Sequence, residues 1–290
     1  GPYCPSLVKN LKKDQYNYDA IFFFTYLYYP TIWSILKIKN KKILIPTAHD
    51  EPPFYFTYIT KMLNLSNFLF VNTVAEKDLI IKVHNVNPDK IKVVGLGFDT
   101  HDIIKTNHEN FIVDDEIKTD QPYLLYLGRI GKCKNINHFV ECLYHYNKHY
   151  ADYKIKFVLA GKMEDDIELS CDYVKYLGFV SEEYKIQLIA NSYAIINPSS
   201  YESLSMLVLE ALVLKKPVVL NLNCAVFKYY FDILPTVFGF WSFDELKNDL
   251  YQILFEKISK ITDKDYKISY DWVIHNYSWD KILKDYLEVL

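Results

Sequence analysis

The sequence predicts an α/β protein built as two parallel-sheet domains. Apolar runs of strand length alternate with amphipathic helical stretches along most of the chain, the pattern of parallel strands covered by helices on both faces. The alternation breaks once, at a polar, acidic and aperiodic stretch over 98–121 that has the composition of a linker. With 290 residues, half of them hydrophobic, the chain suits one large domain or two ordinary ones and is too apolar to be disordered.

In the first half, Ala20 to Thr25 (AIFFFT) is a fully apolar strand, and Tyr28-Tyr29-Pro30 breaks it before a short helix to Ile38. Lys42 to Ala48 (KILIPTA) is a second strand, running into His49-Asp50-Glu51 and a Pro pair. Phe68 to Asn72 is a third, after which Thr73 can cap a helix to about His84. Ile91 to Val94 is a fourth, ending in Gly95-Leu96-Gly97.

The second half repeats the scheme. Pro122 to Leu127 runs straight into Gly128-Arg129, and the helix after Asn135 aligns Ile136, Phe139, Val140 and Leu143. Ile155 to Ala160 is a strand closed by Gly161, and Val174 to Leu177 is closed by Gly178. Ser181 caps a helix with Glu182 and Glu183 in its first turn, where they suit the helix dipole. Ala194 to Ile196 is a buried strand, Asn197 to Ser200 a turn, and a helix starts near Ser205. Pro217 to Leu220 follows, and two amphipathic helices are expected near 242–259 and 279–290.

Composition excludes several classes. Net charge is −3 with scattered lysines, so no basic face for nucleic acid is expected. Cys4, Cys133, Cys142, Cys171 and Cys224 show neither CxxC pairing nor metal spacing, which fits a reducing compartment. No apolar run reaches the length of a membrane span and no signal peptide is visible. The expectation is a soluble, cytoplasmic protein, with peripheral association at the inner face of a membrane left open. The 26 Tyr and 18 Phe are read mainly as compositional bias, with a share of the rings free to line a sugar site.

The stretch 196–217, INPSSYESLSMLVLEALVLKKP, carries the chemistry. Backbone N–H groups of Ser205, Met206 and Leu207 open a helix and, with its dipole, form a seat for phosphate. Glu202 stands in the loop ahead and Glu210 within the helix. Carboxylates on either side of a phosphate seat suit a ligand with hydroxyls at both ends, such as a nucleotide sugar. The bare Glu–x7–Glu spacing is weak, since about one such pair is expected by chance. The neighbourhood strengthens it: His49-Asp50, Gly128-Arg129, Gly161, Gly178 and Glu202 all fall at the C-terminal ends of predicted parallel strands. Two such sheets facing a cleft bind ligands there.

Four ordered motifs then resemble the donor-binding domain of glycosyltransferase family 4, the retaining group 1 glycosyltransferases of GT-B fold. They are LGRIGKCKN at 127–135, FVLAG at 157–161, YLGFVSEEY at 176–184 and PSSYESLSMLVLEAL at 198–212. The resemblance is strong over 122–222 and extends weakly through LIPTAHDEPP (44–53) and VVGLGFD (93–99). It implies two Rossmann-like domains: a partial acceptor-side domain over 1–97, the linker 98–121, and a nucleotide-sugar domain over 122–270. A last helix within 271–290 would pack back on the first domain.

By the same resemblance, Gly128, Arg129 and Lys134 would hold the donor diphosphate together with the N–H groups of Ser205, Met206 and Leu207. Arg and Lys suit a leaving diphosphate that accumulates charge. Gly178, Phe179 and Val180 would hold the base, and Glu210 the ribose. Glu202 would bind the sugar near the reacting carbon, and His49 would act beside sugar and phosphate. Asp50 and Glu51 are read as turn acids before acceptor contacts. No cofactor and no metal are expected, the nucleoside-diphosphate sugar being the co-substrate and a glycan or lipid-linked acceptor the partner.

Three departures from the family accompany this. The turn after Glu202 reads Ser203-Leu204-Ser205 where a glycine is usual, and Lys216 replaces a small residue before Pro217. Only 97 residues precede the linker, so the family's opening strand and glycine-rich loop are missing, and a fragment of a longer protein is favoured over a natively reduced domain. The expected activity is retaining, metal-independent hexosyl transfer in polysaccharide or glycoconjugate synthesis. The alternatives are a non-catalytic nucleotide-sugar-binding subunit and a related GT-B phosphorylase or epimerase.

Overall fold

The computed structural model describes residues 2–100, 103, 122–165, 167, 169 and 172–289. Most of the linker expected at 98–121 lies outside the described residues. The chain divides into two units, Gly1–Phe98 with Trp279–Leu290, and Asp99–Ser278.

The first unit is a four-stranded parallel sheet in the order β1 (Ile21–Phe24), β2 (Lys42–Ile45), β3 (Phe68–Val71), β4 (Ile91–Val93). Helices α1 (Pro5–Asp14), α2 (Tyr29–Lys37), α3 (Thr57–Leu65) and α4 (Val74–His84) alternate with the strands. The capping residue expected for α4 is there: Thr73 accepts from the Glu76 N–H. One face of the sheet packs Leu44, Leu69 and Val71 with Ile35, Ile59, Met62 and Leu63. On the other, Ile43, Ile45 and Phe70 meet Ile282 and Val289, brought there by α11 (Trp279–Leu287) and the residues that follow it. Tyr286 stacks on Phe22 with ring centroids 5.3 Å apart. Gly97 is glycine because a Cβ there would lie 2.6 Å from Trp279 Cε3.

Helices α1 and α3 were not anticipated. In α3 the apolar positions Ile59, Met62 and Leu63 keep helical spacing and are buried, but the aromatic and β-branched residues around them mask the period.

The second unit is a six-stranded parallel sheet in the order β10-β9-β8-β5-β6-β7. Its strands are β5 (Tyr123–Leu127), β6 (Lys156–Ala160), β7 (Val174–Tyr176), β8 (Ala194–Asn197), β9 (Val218–Asn221) and β10 (Val237–Phe240). Its helices are α5 (Ile136–His149), α6 (Glu182–Asn191), α7 (Met206–Val213), α8 (Ala225–Ile233), α9 (Phe243–Tyr251) and α10 (Asp263–Tyr277). β8 and β9 are buried along their whole length, as strands covered on both faces must be. From β5 the chain builds outward through β6 and β7, then returns to place β8 on β5's other side. The strand order therefore reverses between β5 and β8, and a doubly wound sheet opens its ligand crevice at such a reversal, at the carboxyl ends of the strands.

The expected helix over 242–259 is α9 followed by a π-helical turn, Gln252–Lys257, and a 3-10 turn, Ile258–Lys260. Beyond it, α10 starts with a capping box in which Thr262 and Asp265 satisfy each other's backbone. Among the described residues, no helix is long and apolar enough to cross a membrane.

Candidate functional site

The candidate site of the second unit is assembled at the carboxyl ends of β5, β6, β7 and β8. Three strand-end glycines lie against one another there. The Gly161 N–H donates to Gly178 O at 2.7 Å, and the Gly128 N–H to Ala160 O at 3.0 Å. A Cβ on Gly161 would sit 1.9 Å from Gly128 O, at a φ of +134°. Only glycine lets the two strand ends approach so closely. Gly178 differs: a Cβ would meet nothing within 4 Å, and it is the φ of +69° that favours glycine.

Beyond Gly128, Arg129 is held by its backbone and open at its side chain. The Tyr126 hydroxyl donates to Arg129 O at 2.9 Å, and burial pushes that phenol well above its ordinary range. The guanidinium, 64% exposed, lies 3.5 Å from Glu164. Five residues on, Lys134 is buried instead. Its ammonium donates to Glu202 Oε1 at 2.6 Å, Tyr201 O at 3.2 Å and Ser199 Oγ at 3.3 Å. Those three acceptors match the three protons of an ammonium, so Lys134 is directed at Glu202.

Glu202 stands in the loop between β8 and α7, and asparagines pin that loop. Asn135 and Asn221 both donate to Pro198 O, each at 3.0 Å. Both also donate to Ser200 Oγ, at 3.1 and 3.2 Å. Asn197 accepts from the Ser199 N–H at 3.2 Å, and the buried Tyr230 hydroxyl donates to Leu204 O at 2.8 Å. Reading for charge passed over these residues. The signal for Asn197 and Asn221 was an Asn closing each of two adjacent apolar strands, AIIN and VVLN, where an apolar residue could neither accept from the Ser199 N–H nor donate to Pro198 O.

Ser205 ends the loop as the N-cap of α7 with φ +65°. The helix bonds begin with the Val208 N–H donating to Ser205 O at 3.1 Å, so the N–H groups of Ser205, Met206 and Leu207 belong to the open first turn. Ser205 adopts the left-handed conformation that the family's usual glycine would take at no steric cost.

In the second turn of α7, Glu210 is only 8% exposed. Its Oε1 accepts from Lys185 Nζ at 2.8 Å. Lys185 is in the first turn of α6 and also reaches Glu182 at 2.5 Å. Burial raises the Glu210 pKa, and Lys185 acts to lower it. For Lys185, burial acts downward and the two carboxylates upward, and the net shift is upward. The expected cap of α6 is present, with Ser181 accepting from the Tyr184 N–H at 3.2 Å. Phe179, between Gly178 and Val180 after β7, is 90% exposed.

His49 belongs to the first unit, in the loop after β2, while every other candidate residue belongs to the second. Its Nε2 lies 3.3 Å from Glu51, which also accepts from the Tyr26 hydroxyl at 2.5 Å. Asp50 accepts from Tyr55 at 2.6 Å. Behind them, the fully buried Glu76 accepts the N–H groups of Ala48 at 2.6 Å and Asn72 at 2.7 Å, tying the ends of β2 and β3 together. Thr47, one residue before Ala48, has φ +53°, a strained conformation for a β-branched residue. Among the described residues, no three His, Cys, Asp or Glu side chains are grouped to hold a metal ion.

Residues 107–230 match the family model for glycosyl transferases group 1, which includes all candidate residues of the second unit. The chain is 27% identical over 251 residues to the O-antigen chain mannosyltransferase RfbU of Salmonella typhimurium, spanning 75% of this chain and 66% of that protein. It is 25% identical over 227 residues to an uncharacterized glycosyltransferase of Methanocaldococcus jannaschii, spanning 73% of this chain and 57% of that one. The chain thus spans somewhat under two thirds of these relatives. In structure it is similar to Anabaena HepE in complex with UDP and glucose, at a TM-score of 0.75 and 16% identity, over 98% of this chain and 81% of that one.

Proposed function

The chain belongs to the group 1 glycosyltransferases and has the GT-B fold, and from that premise we propose that it transfers a hexose from a nucleoside-diphosphate sugar to a glycan or lipid-linked acceptor, with retention and without a metal. The single observation that carries the reading is the rim around the strand-order reversal. There the open first turn of α7 lies between Glu202 and the buried Glu210, with Arg129 on the neighbouring strand end.

In this reading the helix start and Arg129 meet the diphosphate, where negative charge grows as its bond to the anomeric carbon breaks. Lys134 adds its charge from behind Glu202, and an arriving phosphate would compete with Glu202 for it. Glu202 accepts sugar hydroxyls and favours the positive charge developing at the anomeric carbon. Glu210 accepts the ribose hydroxyls, and the exposed Phe179, with the backbone of Gly178 and Val180, offers a seat for the base. His49, oriented by Glu51, donates to sugar or phosphate. A hexosyl donor is supported by the mannosyltransferase relative and by the glucose bound to the Anabaena protein.

The test is thermal melting with UDP, GDP, ADP and dTDP, followed by donor-dependent release of the nucleoside diphosphate. A ligand at a hundred times its Kd adds about 2.7 kcal/mol, or about 5–11 °C for a unit of this size. One selective shift, lost in Arg129→Ala, is expected. No shift with any nucleotide and no donor turnover would overturn the proposal.

A further inference from the structure

We propose that Lys185 is a positioning residue of the donor site: it holds the ribose-binding carboxylate of Glu210 ionised and oriented, making nucleotide affinity independent of pH near neutrality. This inference rests on the reading of Glu210 as the ribose acceptor.

A buried carboxylate that receives a ribose diol has to stay charged. The diol offers two protons, an ionised carboxylate only accepts, and a protonated one spends an oxygen on its own hydrogen. Yet Glu210 sits where ionisation is costly. It is almost wholly buried on α7, and burial raises its pKa. A cation within hydrogen-bond distance offsets that cost, and Lys185 is placed for it at 2.8 Å.

The surroundings leave Lys185 as the cation that does this. Among the described residues, the elements packed most extensively on α7 are α6, α10 and β9. β9 reads Val-Val-Leu-Asn and has no titratable side chain. The buried residues of α10 are Ser269, Val273 and Tyr277, all uncharged near neutral pH. From α6 come Lys185 and Glu182, and Glu182 acts on Glu210 in the opposite sense.

Geometry adds orientation to charge. Lys185 engages Glu210 Oε1 while Glu182, 71% exposed, braces the same ammonium from the solvent side at 2.5 Å. Fixing Oε1 fixes the carboxylate plane, and with it the position from which Oε2 would accept a ribose hydroxyl. The lysine is contributed from a different helix, four residues beyond the cap of α6 and seven beyond Gly178, so the segment proposed to hold the base also fixes the ribose acceptor.

The experiment is calorimetric titration of the nucleoside diphosphate that shifts the melting of the wild type. It is run from pH 6 to 9 on wild type, Lys185→Met, Lys185→Arg and Glu210→Gln, each variant first checked by melting. The 2′,3′-dideoxy nucleotide serves as a second ligand. Expressing each variant as a ratio to wild type cancels the ionisation of the phosphates. Lys185→Met should bind about tenfold or more weakly at pH 7, recover towards pH 9 as Glu210 ionises, and lose little with the dideoxy ligand. Lys185→Arg, which keeps the charge, should stay within about threefold at every pH and serves as the test should Lys185→Met fold poorly. An arginine variant that follows the Met pattern, or a Met variant with a pH-independent loss equal for both ligands, overturns the inference. If Glu210→Gln weakens binding while Lys185→Met does not, the inference falls and the ribose reading stands. Should Glu210→Gln bind as wild type, the ribose reading falls and takes the inference with it.

Discussion

Substituting Gly161 by alanine tests the geometry on which the whole rim depends. The added Cβ would lie 1.9 Å from Gly128 O and 2.7 Å from Gly128 C, against backbone that no rotamer change can move aside. The φ of +134° costs an L-residue about 1–3 kcal/mol, and the shift needed to relieve the overlap about 1–3 kcal/mol more. The loss should be about 2–6 kcal/mol, or about 5–20 °C in melting temperature for a unit of this size. Relief can come only by parting the ends of β5 and β6, so nucleotide-induced stabilisation should fall too. Gly178→Ala is the internal control. Its Cβ meets nothing within 4 Å, leaving only the left-handed backbone to be charged, at about 1–2 kcal/mol. Differential scanning calorimetry of the three proteins with and without nucleotide decides the matter. A Gly161→Ala protein melting within a degree of wild type, or above Gly178→Ala, would refute the close approach of the strand ends.

The two cations of the rim should separate stability from binding. Arg129→Ala should change stability by no more than about 0.5 kcal/mol, because its 3.5 Å pair with Glu164 is solvent-exposed. Lys134→Met leaves Glu202 without its cation and should cost about 1–3 kcal/mol, a figure discounted for the 20% exposure of Glu202; the reverse order in urea titration would contradict both placements. Ser205→Gly relieves the φ of +65° and should raise stability by about 0.5–1 kcal/mol, its gain reduced by the entropy of glycine in the unfolded chain. A lower melting temperature would mean that the serine is not strained. Burial raises the Glu76 pKa from its ordinary 4.5 to about 8. Between those values the folded protein keeps a proton that the unfolded chain has released, so this group's contribution to stability is lost as pH rises from about 5 to 8. Glu76→Gln should flatten that slope in melts from pH 5 to 9, and an unchanged slope would assign it to other groups.

How much of this was legible before the structure depends on the kind of signal. The parallel strands other than β10 were, because a strand buried on both faces is an uninterrupted apolar run such as FLFV, AIIN or VVLN, and glycines or turn residues mark its end; β10 (VFGF) carries a glycine inside its run and was not anticipated. The helix starts at Thr73 and Ser181 were, because capping is a local bond between a hydroxyl and an N–H two or three residues on. So was the presence of Arg129, Lys134, Glu202 and Glu210 near strand ends and a helix start. Their pairing was not. That Lys134 turns its ammonium to Glu202 across 68 residues of chain, and Lys185 to Glu210 across 25, follows from β8 returning to lie beside β5. That return is a property of strand order, which no local period encodes. Nor could a sequence period show that Gly161 is forced by the Gly128 carbonyl or that Glu76 joins the ends of two strands. Each depends on backbone atoms of segments far apart in sequence meeting within hydrogen-bond distance. The sequence by itself determined most of the strands and which chemical groups stand at their ends; tertiary structure alone decided which of those groups face one another, because charge pairing and burial depend on distances that only the packed sheet fixes.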